Sequence, residues 1–129
     1  MIKFSVDGTQ PVPQGSMKHI GGGRMIHSRA TELATWRALI ANAAKAAGCK
    51  PIESPIIITM VFRLKRPKTV KREYPTVMPD VDKLARAVND GLSGAAFQDD
   101  SQVIRMTASK EYSDTPGVDI EISEGFDCL

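Results

Sequence analysis

Pro79-Asp80-Val81-Asp82-Lys83-Leu84-Ala85-Arg86 begins a segment that runs through Asn89-Asp90-Gly91-Leu92 and Asp99-Asp100-Ser101-Gln102 to a strand-like stretch ending at Lys110. Five aspartates fall between Asp80 and Asp100. At about 100° per residue, Val81, Leu84, Ala85, Val88 and Leu92 gather on one side of a helix, with Asp82, Arg86, Asn89 and Asp90 on the other. This split predicts an amphipathic helix over Val81–Leu92. Pro79 marks its boundary, and Asp80 is the N-cap, its side chain placed to satisfy free backbone donors. Val103 to Lys110 then predicts a strand that turns Ile104, Met106 and Ala108 toward the core.

Working outward, Ile56 to Phe62 is rich in β-branched residues and apolar at both alternations. That predicts a central strand covered on both faces. Ile2, Phe4 and Val6 alternate with Lys3, Ser5 and Asp7, giving a short half-buried strand closed by Gly8. Leu33, Trp36, Ile40, Ala43, Ala44 and Ala47 recur at helical spacing, with Ser28 placed to cap that helix and Gly48 to end it. Trp36 is read as its core anchor. Val118, Ile120 and Ile122 alternate with Asp119, Glu121 and Ser123. The short turn from Tyr112 to Gly117 predicts a hairpin between the last two strands. Glu124 to Leu129 reads as a tail. The sum is an α+β fold in one domain over 1–129, a mixed sheet of about four strands with two main helices.

The chain has 129 residues, enough for a sizeable core. It has no run of about 18 apolar residues and no basic-then-apolar leader, so the expectation is a soluble, cytoplasmic protein with no membrane partner. Cys49 and Cys128 are too few and too far apart in sequence for a disulfide framework or a zinc site. A net charge of +2 does not announce a nucleic-acid partner, so such a claim needs a local patch.

Two stretches offer one. Gln10 to Arg29 holds Pro11, Pro13, Gly15, Gly21-Gly22-Gly23, Lys18, His19, Arg24, His27 and Arg29. It reads as a long polar loop, either a plain surface connection or a basic arm that orders on a phosphate backbone. Arg63, Lys65, Arg66, Lys68, Lys71 and Arg72 crowd a second stretch, where Pro67 and Pro75 prevent a helix. A solvated loop is the usual fate of such a run. This one leads directly into the acidic segment, and cations that hold a polyanion beside carboxylates suit a nuclease.

Asp80 and Asp82 would diverge inside a helix. At a cap they need not, because the first lies outside helical geometry. Asp99 and Asp100 are adjacent, so leading into a strand they point to opposite faces. One of them joins Asp80 and Asp82, while the other caps, orients or hydrogen-bonds. Carboxylates converging without cysteine or histidine favour a hard divalent cation, Mg²⁺ or Mn²⁺, over zinc. The plainer alternative is a set of helix-cap and turn aspartates with no metal. A calcium loop starting at Asp80 fails, since Ala85 stands where Gly is needed and Gly91 where Glu is needed.

These same residues, Pro79-Asp80-Val81-Asp82-Lys83-Leu84, Asn89-Asp90-Gly91-Leu92, Asp99-Asp100-Ser101-Gln102-Val103 and Lys110, resemble the RusA family of Holliday-junction resolvases. These are endonucleases often carried by phages and prophages. Weaker similarity extends to the Gly8-x-x-Pro11-x-Pro13 turn and the Trp36 helix. The resemblance implies that Asp80, Asp82 and Asp100 bind the metal, that Asp90 and Asp99 support them, and that Arg86 and Lys110 act beside them in catalysis. It implies a homodimer that makes paired cuts in a four-way DNA junction with Mg²⁺, or Mn²⁺ as substitute. DNA contacts are expected from Lys18, Arg24, Arg63, Lys65, Arg66, Lys68, Lys71, Arg72 and Lys83.

The sequence departs from the family pattern twice. Lys83 stands where Asn often follows the second Asp, and Arg86 replaces a Lys. Arg keeps the charge but gives up no proton near neutral pH, so electrostatic stabilisation is the role expected of it. Rival readings are a flap or other branched-DNA nuclease of broader specificity, a DNA-binding relative that has lost catalysis, and an unrelated domain whose aspartates serve structure.

Overall fold

The computed structural model describes the backbone of residues 1–15 and 23–125 and the side chains of 1–15 and 30–125. In chain order come β1 (Ile2–Asp7), α1 (Gly23–Ala46), β2 (Ile56–Leu64), α2 (Val81–Leu92), a 3₁₀ turn (Asp100–Gln102), β3 (Val103–Tyr112) and β4 (Gly117–Glu124). Four strands make one mixed sheet in the order β1-β4-β2-β3. β2 and β3 are parallel, as a helical crossover through α2 requires. β4 runs antiparallel to both β1 and β2. The architecture is α+β.

β2 alternates buried and half-buried positions along its length. Ile56, Ile58, Met60 and Phe62 join Val118, Ile120 and Ile122 of β4 beneath Trp36, Ile40, Leu84, Val88 and Leu92 of the helices. Burying a side chain of this size contributes about 1.5–3 kcal/mol, so this layer carries the fold. The two helices meet closely at Gly91. A Cβ there would lie 3.0 Å from the Arg37 carbonyl oxygen and 3.2 Å from the Ile40 Cβ. α1 closes where Gly48 takes a φ of +96° and Cys49 N donates back to the Ala44 carbonyl oxygen at 3.0 Å.

Four expectations need correcting. β3 and β4 form no hairpin, because β2 lies between them. The short connection steps over the end of β2 instead, with Ser113 N donating to the Leu64 carbonyl oxygen at 2.9 Å. That step gives β4 strand partners on both sides and buries Val118, Ile120 and Ile122, which an outer position would leave at the sheet margin. β2 is central but not covered by helices on both faces. Its second face is half-buried by cross-strand neighbours, Thr59 between Glu121 and Thr107 and Val61 between Asp119 and Ser109.

Ile104 and Met106 do not reach the core; they are 65% and 45% exposed on the outer strand. Finally, α1 starts at Gly23, so Arg24, His27 and Arg29 lie on a helix and Ser28 is inside it rather than at its cap. No proline stands between Gly23 and Ser28 to prevent that.

Cys49 is buried and unpaired, and burial raises its pKa. Cys128 and the residues after Gly125 lie outside the described residues. Among the described residues no helix is long and apolar enough to cross a membrane.

Candidate active site along the exposed face of α2

α2 spans the predicted range, and its amphipathic split decides what faces outward. Leu84, Ala85, Ala87, Val88, Gly91 and Leu92 are buried, while Asp82, Lys83 and Arg86 are exposed. Asp80 occupies the N-cap in an extended conformation, and its carbonyl oxygen accepts from Leu84 N at 3.1 Å. Its side chain makes no capping bond, contrary to expectation. The carboxylate instead lies 3.6 Å from Lys83 Nζ, with both side chains about half exposed. Such a surface pair is weak, so the carboxylate of Asp80 stays accessible.

A cleft of about 320 Å³ is lined by Asp82, Lys83, Arg86, Asn89, Asp100 and Met106. Its oxygen donors are Asp82, Asp100 and the Asn89 amide, beside the Met106 thioether, with no cysteine or histidine in the lining. Asn89 Nδ2 donates to Met106 Sδ at 3.5 Å, and Asn89 Oδ1 is buried without a hydrogen-bond partner. That donor chemistry fits a hard cation rather than zinc. Among the described residues, however, no three acidic, histidine or cysteine side chains gather closely enough to hold a metal. Asp82 and Asp100 share the cleft, and Asp80 stands outside its lining at the start of the helix.

Asp100 is held by its neighbours. Asp99 caps the 3₁₀ turn, accepting from Ser101 N at 3.0 Å in a reciprocal capping box with Gln102. Bonds from Ser101, the hydroxyl first and then the amide, hold the Asp99 carboxyl below the usual range. Gln102 Oε1 accepts from Gln98 N and Asp99 N, both at 2.8 Å, while its Nε2 donates to the carbonyl oxygens of Ile52 and Ser54, both at 3.0 Å. One amide therefore staples the turn that presents Asp100 to the chain just before β2. This is the physical content of the Asp-Asp-x-Gln pattern.

Asp90 turns away from the cleft. Its Oδ2 is 3.1 Å from Arg37 Nη2, which also donates to Gln14 Oε1. Gln14 N donates in turn to the Lys83 carbonyl oxygen at 2.9 Å. Asp90 is thus a strut between the helices, and Gln14 and Arg37 are members of that strut which sequence reasoning missed. Only the polar side chains at helical spacing hinted at it. Lys110, expected against a phosphate, directs its Nζ to the carbonyl oxygens of Val77 and Pro79, each at 3.0 Å. It ties β3 to the residues that lead into Asp80.

The basic run divides. Arg63 is engaged within the fold: its guanidinium donates to Asp7, Asp119 and the carbonyl oxygens of Thr115 and Val6. Burial opposes its charge, yet the bonds and attraction from the two carboxylates outweigh that and raise its pKa. Arg66 sits 4.9 Å over the Tyr112 ring, and Arg72 Nε donates to the Tyr112 hydroxyl oxygen at 3.1 Å. Lys65, Lys68 and Lys71 are exposed. Lys18 and the side chain of Arg24 lie outside the described residues.

Two comparisons bear on this site. The family model for the endodeoxyribonuclease RusA matches residues 9–123. The Bacillus subtilis (strain 168) protein YqaN, itself described as uncharacterized, is 31% identical over 139 residues, covering 95% of this chain and 96% of the relative.

Proposed function

We propose, because the chain belongs to the RusA family of endodeoxyribonucleases, that it is a divalent-metal-dependent nuclease that resolves four-way DNA junctions. It acts as a homodimer that places paired symmetric nicks during recombination and repair. The observation that carries this reading is the cleft on α2, where Asp82, Arg86 and Asp100 share one lining and Asp80 stands at its helical end.

Asp80, Asp82 and Asp100 are the carboxylates that would hold Mg²⁺, with Mn²⁺ as substitute. Bound there, the cation would supply Lewis-acid charge at the phosphate and lower the pKa of a bound water. The chain's own groups do the rest. Arg86 projects from α2 into the cleft and offers donors to a phosphate without giving up a proton. Exposed Lys65, Lys68 and Lys71 follow the DNA backbone, and Lys83 adds charge at the cleft rim.

The test is an immobile four-way junction against a matched linear duplex, with Mg²⁺ or with chelator. Symmetric nicks in the junction alone, lost with chelator, are expected. Asp82→Asn should abolish cutting while junction binding persists or tightens, because a negative charge is removed. Loss of binding and cutting together in a folded Asp82→Asn protein counts against the assignment.

A further inference from the structure

Tyr74, Val77 and Met78 are large apolar side chains exposed within five positions of the loop that leads into α2. Met78, at 79%, is the most exposed large hydrophobic among the described residues. Single exposed apolar residues need no explanation, but a run of them marks a contact surface. This run is also held in place. Lys110 Nζ donates to the carbonyl oxygens of Val77 and Pro79, each at 3.0 Å, so the backbone is fixed on both sides of Met78. An apolar tip on anchored backbone has little left to lose in ordering when a partner covers it.

Cations flank the tip. Tyr112 lies two residues beyond Lys110 on β3, so their side chains share one face of the strand. Arg66 sits 4.9 Å over the Tyr112 ring and Arg72 donates to its hydroxyl oxygen, which brings the basic run beside the tethered loop. On the other side lie Asp80 and the Lys83 that reaches back to it. From Lys65 to Pro79 the chain carries one acid, Glu73. An apolar tip among positive charges is complementary to a polyanion that also offers an apolar face. DNA offers one where its stack is interrupted. In a linear duplex each base face is covered by its neighbour, so an apolar side chain must pay unstacking to enter. At a four-way branch the stack is already broken.

We infer that Met78, backed by Val77, is an apolar wedge that covers the open base face at a DNA branch point while the flanking cations hold the phosphates. Two residues extend at most about 7 Å, so the wedge works beside the carboxylate of Asp80. Met78 is thereby the residue that makes this chain prefer branched to linear DNA. The wedge rests on the four-way-junction reading above.

The test is a four-way junction carrying 2-aminopurine at the branch point, titrated in chelator so that no strand is cut, beside a linear duplex of the same arm sequence. Wild type should prefer the junction and raise the 2-aminopurine emission, which stacking between bases quenches. Met78→Ala should bind the junction about tenfold more weakly, the effect of one large apolar side chain left uncovered, and should lose the emission rise. Its duplex affinity, salt dependence and melting temperature should match wild type, because the side chain is exposed and uncharged. Met78→Leu should restore both junction signals. A junction preference and emission rise that survive Met78→Ala overturn the wedge, and so does an equal loss on junction and duplex. If both signals survive while self-association is lost, the tip serves a protein contact and the wedge is again overturned. A wild type that binds junction and duplex alike counts against the four-way-junction reading itself.

Discussion

Lys110 Nζ lies 3.0 Å from the carbonyl oxygen of Pro79, so a side chain of the outer strand holds the residue just before the α2 N-cap. The matching bond to Val77 makes this a two-point tether. Lys110→Met removes a charged donor from two carbonyls and should cost about 1–2 kcal/mol in urea unfolding. Amide exchange at Leu84, in the first turn of α2, should accelerate. Lys110→Arg should recover part of both effects.

Gln102 has a heavier load, with all its amide hydrogen-bonding capacity on the backbone. Gln102→Leu removes the partner of the Asp99 N–H and of the Ser54 carbonyl oxygen, while Gln98 N and the Ile52 carbonyl oxygen keep only their mutual bond at 3.3 Å. The expected loss is about 2–3 kcal/mol, read from the denaturant midpoint at unchanged slope. Gln102→Glu keeps the acceptor and loses the donors, so its cost should fall between wild type and Gln102→Leu.

Asp99 gives a pH signature. Its folded pKa is lowered by bonds from Ser101, while the unfolded value is about 3.9. A depressed folded pKa stabilises fully above the unfolded value and loses that contribution as pH falls through the folded one. Asp99→Asn should therefore lower stability near neutrality and flatten the acid limb of the curve. Melting temperatures from neutral pH down to about pH 2 check this.

Arg63 and Lys71 should separate folding from DNA binding. Arg63→Met leaves two carboxylates and two carbonyls without their shared donor, and should lower stability with no change in the salt dependence of junction binding. Lys71→Ala should leave stability unchanged and reduce the slope of log affinity against log salt by about 1.

Local periodicity carried much of this fold. The Val81–Leu92 helix appears over its predicted range because its apolar and charged residues separate cleanly at helical spacing. The strands begin and end within about two residues of the alternating runs. What periodicity could not carry was partner choice. A short connection such as Ser113 to Pro116 normally means a hairpin, and nothing local tells that Leu64 sits beneath it. Ile104 and Met106 read as core because apolar residues in a strand usually are, yet the strand's place at the sheet edge is a global property. The site divides along the same line. Asp99 as a cap and Asp100 at the cleft follow from adjacency plus the family pattern. The ion pairs of Arg63 depend on Asp7 and Asp119, far from it in sequence, and no reading of a basic run shows that.

The insertion of β4 between β1 and β2 has a consequence for synthesis on the ribosome. β1 is made first, but its strand partner is the last strand to emerge, with Ile2 paired to Ile122. Until then β1 can only wait, and β2 has one flank open. Closing contacts this distant in sequence is slow compared with forming local ones. A nascent chain can wind its helices early, but it cannot complete the sheet beneath them until Gly117–Glu124 has left the exit tunnel. The sheet beneath α2 and its cleft is therefore complete only once β4 has paired with both β1 and β2.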